Sequence, residues 1–154
     1  MTHTHIKFRD EVHPEDPARV RKIVDSSGFF RPDEIKVAVD LIEEKLAQGA
    51  GSSYRFQFAE RDGLVLGYTC YGEIPCTIGS YDLYWIAVDN EFRKAGIGRQ
   101  LLTHTETAIA ALGGRAVYIE TASCEKYQPT RHFYTRNNYD TVAILKDYYQ
   151  PGAD

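Results

Sequence analysis

The sequence of 154 residues lacks long apolar runs, has few cysteines and carries no excess of positive charge. No stretch approaches the ~20 apolar residues of a membrane-spanning helix, so we expect no membrane partner. Lys and Arg total 18 against 22 for Asp and Glu, which gives a net charge of −4. Because proteins that bind nucleic acid through phosphate contacts are usually basic, this balance predicts no nucleic-acid partner.

The cysteines and the first residues favour a cytoplasmic protein. Cys70, Cys76 and Cys124 are an odd number without C-x-x-C spacing, which is typical of free thiols and not of a disulfide framework. Histidines and cysteines do not cluster at metal-ligand spacing, so no metal is expected. Residues 1–5 lack the basic-then-apolar pattern of a signal peptide.

What the chain does contain predicts one globular domain over residues 1–154. Hydrophobic residues make up 43% and charged residues 26%, which is an ordinary globular composition. The unusual component is tyrosine, with 11 residues against a single Trp. Tyrosine combines an apolar ring with a hydrogen-bonding hydroxyl, so it serves both packing and recognition.

Hydrophobic periodicity predicts strands and helices in the order β-α-α-β-β-β-α-β-α-β, an α/β fold with a mixed sheet. The first strand covers residues 5–12, and two amphipathic helices follow Pro17 and Arg31. An Asp62-Gly63 hairpin turn separates two of the later strands. The remaining elements are predicted as strands at 54–60, 64–73 and 80–88, a helix at 96–112, a strand at 115–121, a helix at 129–137 and a strand at 139–145.

A basic, glycine-containing loop follows the most strand-like stretch of the chain, residues 80–88. It reads Arg-Lys-Ala-Gly-Ile-Gly from 93 to 98 and precedes an amphipathic helix, a geometry suited to binding phosphate. The Walker A pattern is missing, and Leu101 stands where a Rossmann fingerprint needs its third glycine. The acyl-CoA loop [QR]-x-x-G-x-[GA] is satisfied at every fixed position. A solvated charged turn is the alternative interpretation.

Two motifs in the right order resemble those of the GNAT superfamily of acetyl-CoA-dependent N-acetyltransferases. The first runs from Ile86 to Leu102, and the second is Phe133-Tyr134-x-Arg136-Asn137-Asn138-Tyr139. Lys94 and Asn138 stand where many members have Gly, and Asn tolerates the left-handed conformation that Gly would supply. The resemblance covers nearly the whole chain.

This resemblance implies a mixed, mostly antiparallel central sheet with helices on both faces, the acyl-CoA N-acyltransferase fold. The family's last strand has no counterpart in residues 152–154, so it would be missing or supplied by a partner, and a monomer and a homodimer both remain open. The implied cosubstrate is acetyl-CoA, with no metal. Its pantetheine would pair with the backbone of Ile86, Ala87 and Val88, and its pyrophosphate would bind the loop formed by Arg93, Lys94, Ala95, Gly96, Ile97, Gly98 and Arg99.

The resemblance also implies direct attack of a primary amine on the thioester, with an acid for the thiolate and a base for the ammonium proton. Tyr134 of the second motif is the implied acid, although a packed aromatic is the alternative. For the base we weigh Glu120, whose predicted position in a buried strand would raise its pKa. A pairing of Glu120 with an arginine is the other interpretation, and Asp82 or water the other bases.

The acceptor is predicted to be an amine. The aromatic rings of Tyr84, Tyr148 and Tyr149 with the carboxylate of Asp82 suit a cation. A small-molecule amine and a peptide or protein N-terminus both fit, and the stretch 146–151 is similar to part of the peptide site in some N-terminal acetyltransferases of the superfamily. A non-catalytic acyl-CoA-binding regulator and a nucleotide-phosphate binder are the alternatives of another class.

Overall fold

The computed structural model describes residues 5–154, which form two compact units. The first ends at Tyr118 and the second is Ile119–Asp154. Residues 1–4 lie outside the described residues, and they include most of the segment 1–5 on which the signal-peptide prediction was based. The first unit contains β1 (Lys7–Arg9), α1 (Asp16–Ser26), α2 (Pro32–Gln48), β2 (Arg55–Arg61), β3 (Leu64–Glu73), β4 (Ser80–Val88), α3 (Ile97–Ala111) and β5 (Ala116–Tyr118), and the second contains α4 (Gln128–Arg136).

The five strands form one sheet in the order β1-β2-β3-β4-β5. All neighbours are antiparallel except β4 and β5, which are parallel because α3 carries the chain back across the sheet. Asp62 and Gly63 close the β2–β3 hairpin with φ values of 53° and 79°, as the Asp-Gly signal predicts. The mixed, mostly antiparallel sheet is confirmed.

Helices cover both faces of the sheet. On one face α1 and α2 bury Ile23 and Ile42 against Phe56, Phe58 and other side chains of β2 and β3. On the other face α3 buries its apolar side chains against the same two strands. The members of this second cluster are Ala59, Leu66, Ile97 and Leu101. Strand β4 contributes to both, since Trp85 and Ala87 pack against the first cluster and Ile86 and Val88 against the second.

A β-bulge interrupts β4 in its middle. Cys70 of β3 pairs with Trp85 and the next residue, Tyr71, pairs with Leu83, so Tyr84 is an extra residue without a partner in this ladder. The ring of Tyr84 meets the ring of Tyr54 edge-on at 5.5 Å. Because Tyr54 packs against the same cluster as Trp85, two consecutive residues of β4 lie on the same face.

Three strand predictions are corrected. The strand predicted at 5–12 is only Lys7–Arg9, because these three residues alone pair with β2. The strand predicted at 115–121 is only Ala116–Tyr118, so Glu120 lies outside it and is exposed instead of buried. The strand predicted at 139–145 does not form, and Val142 and Ile144 there are 79% and 70% exposed. A run of β-branched residues becomes a strand only beside another strand, and the described residues offer none to 141–144.

Candidate active site

The sheet opens between β4 and β5. Their parallel pairing covers only three residues on each strand and ends where Asp82 faces Tyr118. Beyond that point, among the described residues, residues 83–88 pair with β3 alone, so one edge of β4 keeps its backbone N–H and C=O groups unpaired. Such an edge is a template for another extended, amide-containing chain. Ile86, Ala87 and Val88 lie along this edge.

The loop after β4 turns sharply before α3 begins. Asp89 caps a single 3-10 turn, Asn90–Phe92, and its Oδ1 accepts a hydrogen bond from the Glu91 N–H at 3.0 Å. Lys94 and Gly96 then adopt left-handed backbone angles, with φ of 75° and 76°. These two reversals bring the chain into the first turn of α3.

The first turn of α3 has the features of an anion-binding site. Its first helical hydrogen bond runs from the Gln100 N–H to the Gly96 carbonyl at 3.1 Å. The preceding amides of Ile97, Gly98 and Arg99 have no acceptor among the residues that the structure describes. The positive end of the helix dipole and the exposed Arg93, Lys94 and Arg99 add to the attraction for an anion. An open depression of about 420 Å³ beside this turn is lined by Gly96, Arg99, Gln100, Thr103 and His104.

In the second unit, Tyr134 lies on α4 with its ring against two other aromatic rings. The centroid distances are 5.4 Å to Phe133 and 6.0 Å to Tyr139. Burial raises the pKa of Tyr134 to about 12, so the hydroxyl keeps its proton at neutral pH. Asn138 takes a φ of 70° at the end of the helix, as expected of an Asn that replaces Gly.

Glu120 belongs to a small polar cluster in the second unit. Its Oε2 accepts a hydrogen bond from the Tyr148 hydroxyl at 3.3 Å, so Glu120 is bonded to a tyrosine where an arginine was the alternative expectation. The rings of Tyr148 and Tyr149 meet edge-on at 5.0 Å, and each residue is half exposed. Burial, and then the charge of Glu120, raises the pKa of Tyr149.

The other two acceptor candidates belong to the first unit. Tyr84 is 41% exposed at the bulge of β4, and Asp82 is half-buried two residues earlier. Burial raises the pKa of Tyr84, and the negative charge of Asp82 raises it further. The four residues predicted to bind the acceptor are therefore divided between the two units, two in each.

We call residues 89–99, which leave β4 and enter α3, the phosphate loop, because residues 93–99 are predicted to bind the pyrophosphate. Sequence reasoning missed the residues that lie behind this loop. Arg19 and Ser26 of α1 and Phe29 just after it contact the loop at Asp89, Asn90 and Arg93. The sequence did contain one indication of this contact. Arg19 and Ser26 lie four residues before and three residues after Ile23, so all three share one face of the predicted helix.

Residues 5–154 contain neither a cluster of metal ligands nor a helix that could span a membrane. No group of three or more His, Cys, Asp or Glu side chains is arranged to hold a metal ion. No helix in this part of the chain has the length and hydropathy to cross a bilayer.

Three comparisons agree on the family. A family model described as an acetyltransferase (GNAT) domain matches residues 52–141. A crystal structure of a putative GNAT-family acetyltransferase from Desulfovibrio desulfuricans is 44% identical, with a TM-score of 0.95, over 97% of this chain and 94% of that one. An N-alpha-acetyltransferase of Sulfolobus acidocaldarius is 30% identical over 109 residues, and the match spans 64% of each protein.

A further solved structure shares the fold alone. It is the PaiA N-acetyltransferase from Thermoplasma acidophilum in complex with coenzyme A, 15% identical with a TM-score of 0.71. The match covers 92% of this chain and 93% of that one.

Proposed function

Because the chain belongs to the GNAT acetyltransferase superfamily, we propose that it transfers an acetyl group from acetyl-CoA to a primary amine. The observation that carries the proposal is the adjacency of two features of the first unit: the open edge of β4 and the anion site at the start of α3. An extended amide chain on the edge and a pyrophosphate on the helix are what coenzyme A offers. One domain over residues 1–154 would carry out the reaction.

The cofactor would bind along the residues named from the sequence. The backbone of Ile86, Ala87 and Val88 would pair with the pantetheine amides. The side chains of Arg93, Lys94 and Arg99 would neutralise the phosphates, and loop amides would donate to them. The backbone amides that we assign as donors to the phosphates belong to Arg93, Lys94, Ala95, Gly96, Ile97, Gly98 and Arg99.

The reaction itself would be direct attack in a ternary complex. The nitrogen lone pair of the neutral amine forms a bond to the thioester carbonyl carbon, and the C–S bond breaks with its electron pair leaving on sulfur. We assign Tyr134 as the group that donates to this sulfur. The pKa of Tyr134, about 12, exceeds that of a thiol, ~8.5, so proton transfer from the hydroxyl to the thiolate is unfavourable by itself. The transfer would therefore occur together with release of a proton from the attacking amine.

Glu120 is our proposed base for the amine proton, alone or through a water molecule. What supports it is that Glu120 is exposed and shares a cluster with Tyr148 and Tyr149. Replacing Glu120 with Gln should flatten the acid limb of the profile of kcat/KM against pH, because the group that must lose a proton is gone. A profile identical to that of the wild type would transfer the role to Asp82 or to water.

The acceptor is an amine of either of two kinds, a small-molecule amine or a peptide N-terminus. Tyr84, Tyr148 and Tyr149 would face its cation and Asp82 would pair with it. The peptide N-terminus is supported as the acceptor by the relative from Sulfolobus acidocaldarius, which is an N-alpha-acetyltransferase.

The decisive experiment measures release of the CoA thiol from acetyl-CoA with a panel of amines and peptides. Each peptide is paired with its N-acetylated form, and each small amine with its quaternary ammonium analogue, because neither control can be acetylated at nitrogen. Release with a free amine and not with its control supports the proposal. CoA binding without release for any acceptor would instead make the protein a non-catalytic acyl-CoA-binding regulator, and displacement of CoA by ATP would favour a nucleotide binder.

A further inference from the structure

The first half of the phosphate loop is held from behind by α1. The Arg19 guanidinium bridges two elements, since its Nε donates to the Val65 carbonyl of β3 and its Nη2 to Oδ2 of Asp89, each at 2.7 Å. The Arg19 side chain is 19% exposed and that of Asp89 is 11% exposed. A charged pair so little hydrated is held more firmly than a surface ion pair.

Asp89 uses all of its polar groups in this arrangement. Its N–H donates to the Leu66 carbonyl at 2.8 Å, and its own carbonyl accepts from the Phe92 N–H at 2.9 Å. Its Oδ1 accepts from the Glu91 N–H, and Oδ2 accepts from Arg19. The direction in which the chain leaves β4 is therefore fixed at this one residue, and among the described residues Arg19 provides the only side chain that is hydrogen-bonded to Asp89.

Two more contacts join the C-terminal end of α1 to the loop. The Ser26 Oγ accepts a hydrogen bond from the Asn90 N–H at 3.1 Å. Two residues beyond the cap of α1, the Phe29 ring lies 5.9 Å from the Arg93 guanidinium carbon. Arg19, Ser26 and Phe29 thus contact Asp89, Asn90 and Arg93 in order, and of these three loop positions Asp89 and Asn90 are not among those proposed to meet the cofactor.

The second half of the loop carries the groups proposed to bind phosphate. It contains the left-handed Lys94 and Gly96 and leads to the unpaired amides of α3. An irregular loop must be ordered before its amides converge on one anion, and ordering at the moment of binding weakens affinity. A loop that α1 already holds would avoid this entropic cost.

We propose that Arg19 is a positioning residue for acetyl-CoA binding, which acts by fixing Asp89 and through it the conformation of the phosphate loop. The inference rests on the proposed function, because it takes acetyl-CoA as the ligand of that loop. Arg19 is not among the residues that we assign to the cofactor or to the reaction, and it contacts Val65 and Asp89 instead.

The test compares two matched arginines of the first unit. Arg19→Gln removes the bonds to Asp89 and to the Val65 carbonyl. Arg9→Gln removes the bonds of Arg9 to Asp16, Glu60 and the Glu11 carbonyl, which lie away from the loop and include a pair of the same length, 2.7 Å from Arg9 Nη1 to Asp16 Oδ2. Both variants should lower Tm. Arg19→Gln should raise the Kd for CoA, measured by calorimetry, about tenfold or more, and should raise the KM for acetyl-CoA with kcat changed less than threefold. Arg9→Gln should leave the Kd within twofold.

Two further variants keep the test meaningful if Arg19→Gln folds poorly. Arg19→Lys retains the charge but cannot hold Val65 and Asp89 with one fork, so it should give an intermediate Kd. Ser26→Ala removes the hydrogen bond that Ser26 Oγ accepts from the Asn90 N–H, together with the one it donates to the Ile23 carbonyl, and should raise the Kd two- to threefold. A Kd unchanged in Arg19→Gln and Arg19→Lys, or raised equally in Arg9→Gln, would overturn the inference.

Failure of the proposed function would appear separately. If the wild-type protein does not bind CoA, the cofactor assignment is wrong, and the role of Arg19 in cofactor binding is overturned with it. If the wild type binds CoA, hydrogen exchange of the segment 89–99 gives an independent readout. Exchange there should accelerate in Arg19→Gln and not in Arg9→Gln, and equal exchange in both would count against positioning.

Discussion

Tyr134 combines a half-buried side chain with a hydroxyl that stays protonated at neutral pH. Tyr134→Phe keeps the ring and removes the donor, so we expect kcat to fall tenfold or more while the Kd for acetyl-CoA is unchanged. Stopped-flow thiol release and calorimetry measure the two quantities. Tyr139→Phe is the matched control, because it preserves the ring against Tyr134 and should retain kcat. Normal turnover in Tyr134→Phe would remove this residue from the chemistry.

Tyr68 is a buried tyrosine whose hydroxyl has no hydrogen-bond partner among the described residues. Its hydroxyl was desolvated on folding without compensation, so Tyr68→Phe should leave the free energy of unfolding unchanged or raise it by about 1–2 kcal/mol. Urea denaturation measures this. Tyr71→Phe on the same strand is the contrast, since the Tyr71 hydroxyl accepts from Gln57 Nε2 at 3.2 Å and its loss should destabilise by about 1 kcal/mol. Destabilisation by both would contradict the interpretation of Tyr68.

At the residue scale, the sequence predicted positions defined by local chemistry and missed those defined by distant partners. Asn138 was expected in the left-handed region and is found there. Lys94 also takes a positive φ, at a position where many members of the family have Gly. The roles of Arg19 and Asp89 could not be predicted, because their contact joins residues 70 positions apart along the chain.

Helix α3 is joined to β3 by a fully buried pair of hydroxyls, Thr69 and Thr105, whose Oγ1 atoms are 2.7 Å apart. Thr105→Val should destabilise by about 1–3 kcal/mol, because it leaves the Thr69 hydroxyl buried without a partner. The double variant Thr69→Val/Thr105→Val should recover most of that loss. A denaturation double-mutant cycle measures the coupling, and additive effects of the two substitutions would show that the pair is not coupled.

At the element scale, prediction succeeded where the hydrophobic pattern and the pairing agree. β3 and β4 have the bounds predicted from the sequence, and the helices differ by one or two residues at their ends. The run at 139–145 has strand composition but no strand, because pairing is decided by neighbours that periodicity does not reveal. The same limit made Glu120 seem buried, since the strand that was to bury it ends at Tyr118.

Across the whole molecule, several tyrosines and one cysteine with raised pKa values predict that the free energy of unfolding falls at high pH. Burial raises the pKa of Tyr68, Tyr71 and Cys70, and raises that of Tyr134 to about 12. A group whose folded pKa lies above its unfolded value stabilises the fold fully below the unfolded pKa and loses that effect as pH rises through the folded one. For tyrosine the loss should begin near pH ~10.

Titration should therefore be coupled to unfolding. We expect the free energy of unfolding to be insensitive to these groups below pH ~8.5, to begin to fall above it because of Cys70, and to fall further between about pH 10 and 12 because of the tyrosines. Absorbance at 295 nm, which reports tyrosinate, should rise in two stages, and the second stage should coincide with loss of the circular dichroism signal. A single smooth titration of all 11 tyrosines with the fold intact would contradict this expectation.

The bulge at Tyr84 also determines where β4 can tolerate a change in its length. In a regular strand consecutive side chains alternate between faces, so removing a residue exchanges the faces of everything on one side of the deletion. Tyr84 is the surplus member of the ladder, and Leu83 and Trp85 would simply become neighbours without it. Deletion of Tyr84 would therefore leave the other side chains of β4 on their present faces, while it removes the edge-on contact between Tyr84 and Tyr54.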